Sequence, residues 1–111
     1  MMDSLALLRA AVKAGASDVF IVSGQPPSYK ANGQIVTLEE AKVMPDSAQA
    51  LISQMYQLAG RSMERLLETG DDDFALSVKD LARFRVSTYK QRGSLAAVIR
   101  AISFGIPDYR E

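Results

Sequence analysis

The chain has 111 residues, 48% of them apolar and 23% charged, which suits one globular domain with a modest core. Its 13 basic and 13 acidic residues cancel, so no global field draws it onto nucleic acid or an anionic membrane, and any anion recognition must be local. Cysteine and histidine are both absent; that excludes disulfides, thiol nucleophiles, Cys/His zinc sites and a histidine general base, and it suits a reducing compartment.

The first residues carry no basic n-region, and Arg9 and Lys13 interrupt the apolar positions that follow, so neither a signal peptide nor a membrane span is expected. Asp3 or Ser4 caps a helix running to about residue 14, with Leu5, Leu8, Val12 and Ala16 at helical spacing and Gly15 as its stop. Residues 17–23 are rich in β-branched and aromatic side chains and predict a buried strand, broken by Gly24-Gln25-Pro26-Pro27. Two short strands follow, about 28–31 and 34–38, joined by Asn32-Gly33, the strongest short hairpin signal because both turn positions need positive φ.

Pro45 opens a helix to about residue 59, with Ala48, Leu51, Ile52, Met55 and Leu58 on one face. A shorter helix covers about 62–68 and carries Met63, Leu66 and Leu67, with Gly70 closing it. Three strands complete the pattern. Residues 73–78 place Phe74, Leu76 and Val78 on one face; residues 82–91 set Phe84, Val86 and Thr88 against Arg83, Arg85 and Ser87. Residues 94–102 are apolar on both faces except Arg100, as in a central strand. Gly105-Ile106-Pro107 then breaks the pattern. The expectation is an α+β fold: a mostly antiparallel sheet of about six strands, an N-terminal helix, and a helical pair between two three-strand halves.

No Gly-Lys pair exists for a P-loop, the glycines are too scattered for a dinucleotide fingerprint, and serine without histidine gives no ordinary triad. Asp71-Asp72-Asp73 cannot converge on one ion, because alternate strand side chains point to opposite faces; a solvated strand entry that discourages edge pairing is preferred to a metal role. Asp18, alone among apolar neighbours, is read as a buried, hydrogen-bonded structural carboxylate rather than a functional one. Met55, Tyr56 and Met63 are read as core rather than as a partner-binding patch.

The arginines form the one unusual arrangement. If the last two strands form a hairpin around Arg92-Gly93, opposed residues sum to 185 and Arg85 faces Arg100. Like charges directly opposite destabilise a strand pair, so something negative is required. Two readings stand side by side: a clamp for phosphate oxygens, or a solvated face on which Asp or Glu side chains satisfy each arginine.

At these residues the sequence resembles the N-terminal domain of PilT-like ATPases, motors of type IV pilus retraction and twitching motility within the type II secretion ATPase superfamily. The resemblance rests on the order and spacing of Ser17-Asp18-Val19-Phe20-Ile21, Gly24-Gln25-Pro26-Pro27, Asn32-Gly33, Arg83-Phe84-Arg85-Val86-Ser87, Gln91-Arg92-Gly93, Val98-Ile99-Arg100 and Ile106-Pro107, and covers about residues 5–109. Phe20 stands where the family carries histidine, which removes any polar role from that position. The resemblance implies a PAS-like domain over 1–105 and, at 106–111, the start of a linker to an ATPase domain that lies downstream with its Walker A, Asp box, Walker B and His box. It implies a bacterial homohexamer, cytoplasmic and peripheral to the inner face of the cytoplasmic membrane. The domain then packs on the motor domains of its own chain and of the neighbouring subunit, near an inner-membrane platform protein, without nucleic acid and without membrane insertion. ATP and Mg belong to the full-length protein only. Arg85 and Arg100 match two arginines that act as arginine fingers in the secretion branch of the superfamily, placing fixed positive charge on transferring phosphate. The alternatives from other classes are a PAS-like small-ligand sensor or interaction module, and a free-standing adaptor.

Overall fold

A computed structural model of the chain describes residues 3–91 and 93–102. Arg92 of the expected turn, the Gly105-Ile106-Pro107 break and the 106–111 linker lie outside the described residues. The elements follow the expected order: α1 (Ser4–Lys13), β1 (Asp18–Ile21), β2 (Ser28–Ala31), β3 (Gln34–Thr37), α2 (Pro45–Ala59), α3 (Glu64–Thr69), β4 (Asp71–Val78), β5 (Ala82–Gln91) and β6 (Ser94–Ile102). The strands make one antiparallel α+β sheet in the order β3-β2-β1-β6-β5-β4. It consists of two three-stranded meanders joined where β1 pairs with β6.

Local chemistry explains the turns. Asn32 and Gly33 take φ of 53° and 78°, and Ala31 pairs with Gln34, so the β2–β3 hairpin has the two-residue primed turn that the dipeptide demands. At the end of α2, Gly60 has φ 66°, and the Arg61 amide turns back to donate to the Tyr56 carbonyl at 2.9 Å. This glycine stop satisfies a terminal carbonyl and throws Arg61 back toward the sheet.

The core lies between one face of the sheet and the helices, with Phe84, Leu76, Ile99, Ile52 and Met55 fully buried in it. Strand β4, and β5 as far as Thr88, alternate between buried and exposed residues, so their other face meets solvent. β6 is central as expected, yet helices cover only one of its faces; Arg100 and Ile102 are exposed.

Several helix faces differ from the periodicity reading. In α1 the deepest residues are Ser4, Leu7, Leu8 and Ala11 rather than Leu5 and Val12, which are only partly buried. Ser4 causes the rotation: its hydroxyl donates to the Leu51 carbonyl and its amide to Gln54 Oε1 at 2.7 Å, docking the start of α1 on α2. In α2, Leu58 is exposed and Tyr56 is buried in its stead, because the tyrosine ring packs on Phe74 with centroids 4.5 Å apart and its hydroxyl finds polar partners. In α3, Leu66 is buried and Leu67 exposed, since a six-residue helix has room for one inward position. The expected core roles of Met55 and Tyr56 hold.

Candidate functional site

The helix-free face of the sheet is set by register. Arg85 on β5 lies directly opposite Arg100 on β6, and Arg100 lies directly opposite Asp18 on β1. Asp18 in turn faces Lys30 on β2. One row across four strands therefore reads Lys30, Asp18, Arg100, Arg85. Asp73 on β4 pairs with Ser87, diagonal to Arg85 on the same face.

Both arginines are well exposed, Arg85 at 57% and Arg100 at 74% of the side chain. Each has one carboxylate near it. Arg85 Nη2 donates to Asp73 Oδ2 at 3.4 Å, and Arg100 Nε lies 3.7 Å from Asp18 Oδ1. Neither pair is bidentate, and exposed pairs of this quality contribute little. Asp18 is 21% exposed rather than buried, but it is hydrogen-bonded as expected, its Oδ2 accepting from Ser17 Oγ at 2.9 Å. Between these groups lies a surface depression of about 270 Å³ lined by Asp18, Asp73, Arg85, Ser87, Val98 and Arg100. Each arginine thus has a carboxylate beside it, and both guanidiniums remain more than half exposed.

On the opposite face sits a polar cluster that the sequence reading missed. Asp72 is not part of a solvated strand entry: its side chain is 1% exposed, while Asp71 and Asp73 point outward. Arg61 donates from Nε and Nη2 to the two Asp72 oxygens at 3.1 and 2.8 Å, a bidentate pair, with Arg65 Nε 3.6 Å away. Tyr56 donates its hydroxyl proton to Asp72 Oδ2 at 2.9 Å and lies 2.8 Å from Thr88 Oγ1, whose residue is the cross-strand partner of Asp72. Asp72 Oδ1 also accepts the Asp73 amide at 2.8 Å. The Arg61 guanidinium, aided by the Tyr56 hydroxyl and working against desolvation, holds the Asp72 carboxyl down at about 2. Burial, reinforced by the neighbouring carboxylate, pushes the Tyr56 phenol up to about 12. Arg61 also stacks on Phe74, its guanidinium carbon 5.6 Å from the ring centroid. The signal was present: Asp72 and Thr88 share the inward parity of Phe74 and Val86.

Among the described residues no group of three or more acidic side chains is arranged to hold a metal ion, and no helix is long and apolar enough to cross a membrane. Phe20 is half-buried and pairs with Val98 in the row beside Asp18 and Arg100.

No family model matches the chain. It is 33% identical over 110 residues to the type IV pilus ATPase PilU of Pseudomonas aeruginosa, covering 99% of this chain and 28% of PilU. To the type IV pilus retraction ATPase PilT of the same organism it is 33% identical over 102 residues, covering 91% of this chain and 29% of PilT. The chain thus spans less than a third of these relatives. Among solved structures, the pilus retraction motor PilT with bound ADP superimposes with a TM-score of 0.83 at 30% identity, over 96% of this chain and 31% of that one. The Legionella pneumophila ATPase DotB shares the fold, with a TM-score of 0.74 at 20% identity over 96% of this chain and 31% of its own.

Proposed function

We propose that the chain, which carries the sequence and fold of an N-terminal part of PilT-like ATPases, serves as the N-terminal domain of a pilus or secretion motor and completes a nucleotide site that other parts of the motor build. It packs on the motor domain of its own chain and of the neighbouring subunit in a homohexamer at the cytoplasmic side of the membrane. ATP and Mg are held by the motor domain; this domain contributes Arg85 and Arg100. The observation that carries the reading is the direct opposition of two exposed arginines on the helix-free face of a rigid sheet. Such a pair presents fixed positive charge at a spacing set by the strands, which is what stabilises charge on a phosphoryl group in transfer.

The sensor alternative requires convergent polar groups aimed into an apolar cavity. The buried polar side chains of the core, Ser4, Asp72 and Thr88, are all engaged in hydrogen bonds of their own. Ser23 Oγ, which has no hydrogen-bond partner among the described residues, lies beyond the end of β1, in a surface depression with Lys42 and Pro45.

In the full-length motor, Arg85→Ala and Arg100→Ala each lower ATP turnover on the order of a thousandfold while leaving nucleotide binding by the motor domain in place. Undiminished turnover in both variants overturns the reading.

A further inference from the structure

The two aspartates on this face stand in a telling order. Across the sheet the charged groups run Lys30, Asp18, Arg100, Arg85, Asp73, with the anions on β1 and β4, the strands that flank the arginine pair, and no carboxylate of the described residues between the cations. Two guanidiniums on directly paired residues repel each other. Carboxylates placed outside them draw the arms apart, toward β1 and β4, and the lined depression lies between.

The contacts between the arginines and these carboxylates are weak ones. Asp18 is held by Ser17, whose hydroxyl donates to Oδ2 and leaves Oδ1 for Arg100. Asp73 is anchored at its backbone, whose amide donates to the buried Asp72 on the other face, while its side chain is 55% exposed. The arginines are more than half exposed and touch their partners through a single nitrogen each at 3.4 and 3.7 Å. Contacts this exposed bias an arm by a factor of roughly two to five, which is enough to set its resting position and too little to withstand a polyanion.

We infer that Asp18 and Asp73 are positioning residues that park Arg100 and Arg85 and compete with an incoming phosphate for them. This rests on the reading of the two arginines as phosphate-facing groups. When the anion arrives, the arms swing inward, the aspartates remain behind, and Lys30 opposite Asp18 is left to neutralise one of them.

Inorganic tripolyphosphate titrated into the chain at low salt, followed by the backbone amide and arginine Nε–H resonances of β5 and β6, tests this. Asp18→Asn and Asp73→Asn each tighten binding about two- to fivefold, and the double variant about tenfold. Asp46→Asn with Asp80→Asn changes the net charge equally at positions away from this face, and leaves affinity within twofold. Asp73→Ser replaces Asp73→Asn if the latter perturbs the fold by circular dichroism. Tightening no greater than in the charge control, or weaker binding, overturns the parking role. Arg85→Gln with Arg100→Gln separates the two ideas: lost binding there, with no effect of the aspartates, removes only the parking role, whereas unchanged binding removes the arginine reading and the parking role with it.

Discussion

The two faces of the sheet hold arginine–aspartate pairs of opposite kind. On the helix side, Arg61 grips Asp72 with two nitrogens, the carboxylate is shut away from water, and the Tyr56 hydroxyl and the Asp73 amide donate to it as well. On the helix-free side, Arg85 and Arg100 each touch an aspartate once, at longer range and in solvent. The residue types are the same; burial and second partners decide whether a pair is structural or exchangeable. A desolvated, fully bonded carboxylate is costly to disturb, while an exposed one-point contact is replaced at little cost by water or by another anion.

Substitutions sharpen that contrast, and the largest stability effect belongs to the core on which both faces rest. Phe84→Ala, which empties a fully buried site in the core, destabilises the chain by about 3–5 kcal/mol in urea unfolding. Next comes the buried pair. The Asp72 carboxyl is depressed in the folded state to about 2 from the 3.8 it has when free. A depressed carboxylate contributes stability that is complete above the free value and is lost as pH falls through the folded one. About 2 kcal/mol therefore disappears between about pH 4 and pH 2, and Asp72→Asn flattens acid denaturation across that window. A variant with an unchanged acid limb would show that the bidentate pair is not what stabilises the fold there. The smallest effect is on the open face: Arg85→Gln and Arg100→Gln change stability by no more than about 0.5 kcal/mol, and the sign is stabilising if repulsion across the register dominates. A loss of 2 kcal/mol at either arginine would erase the distinction between the faces.

What the sequence disclosed follows the range of each interaction. Turns and hairpins are local, so Asn32-Gly33 and the β5–β6 register could be read from a few neighbours, and the opposition of Arg85 and Arg100 came with the register. The pairing of β1 with β6 joins residues about eighty positions apart; no local pattern announces it, and the neighbourhood of Asp18 and Arg100 stayed hidden with it. The polar cluster failed for another reason. Three consecutive aspartates look alike as a run, but a strand sends the middle one to the other face, and only the burial of Tyr56 and the glycine turn that redirects Arg61 explain why a carboxylate is tolerated there. Helix faces erred wherever a single polar anchor, Ser4 or the Tyr56 hydroxyl, outweighed the stripe of apolar residues.

The junction of the two meanders also governs how the molecule comes into being. Strands β1 to β3 and β4 to β6 each pair with sequence neighbours, so each meander closes only short loops. The seam at β1 and β6 closes a loop of most of the described chain, and that entropy is lost before the seam returns any contact. On a ribosome, β1 emerges before β6 and waits through the synthesis of the residues between them with one edge unpaired. The apolar run Val19-Phe20-Ile21 stays exposed along that edge until β6 is available. The interval between the two strands is thus the period in which a chaperone, or another nascent copy, competes for the same edge.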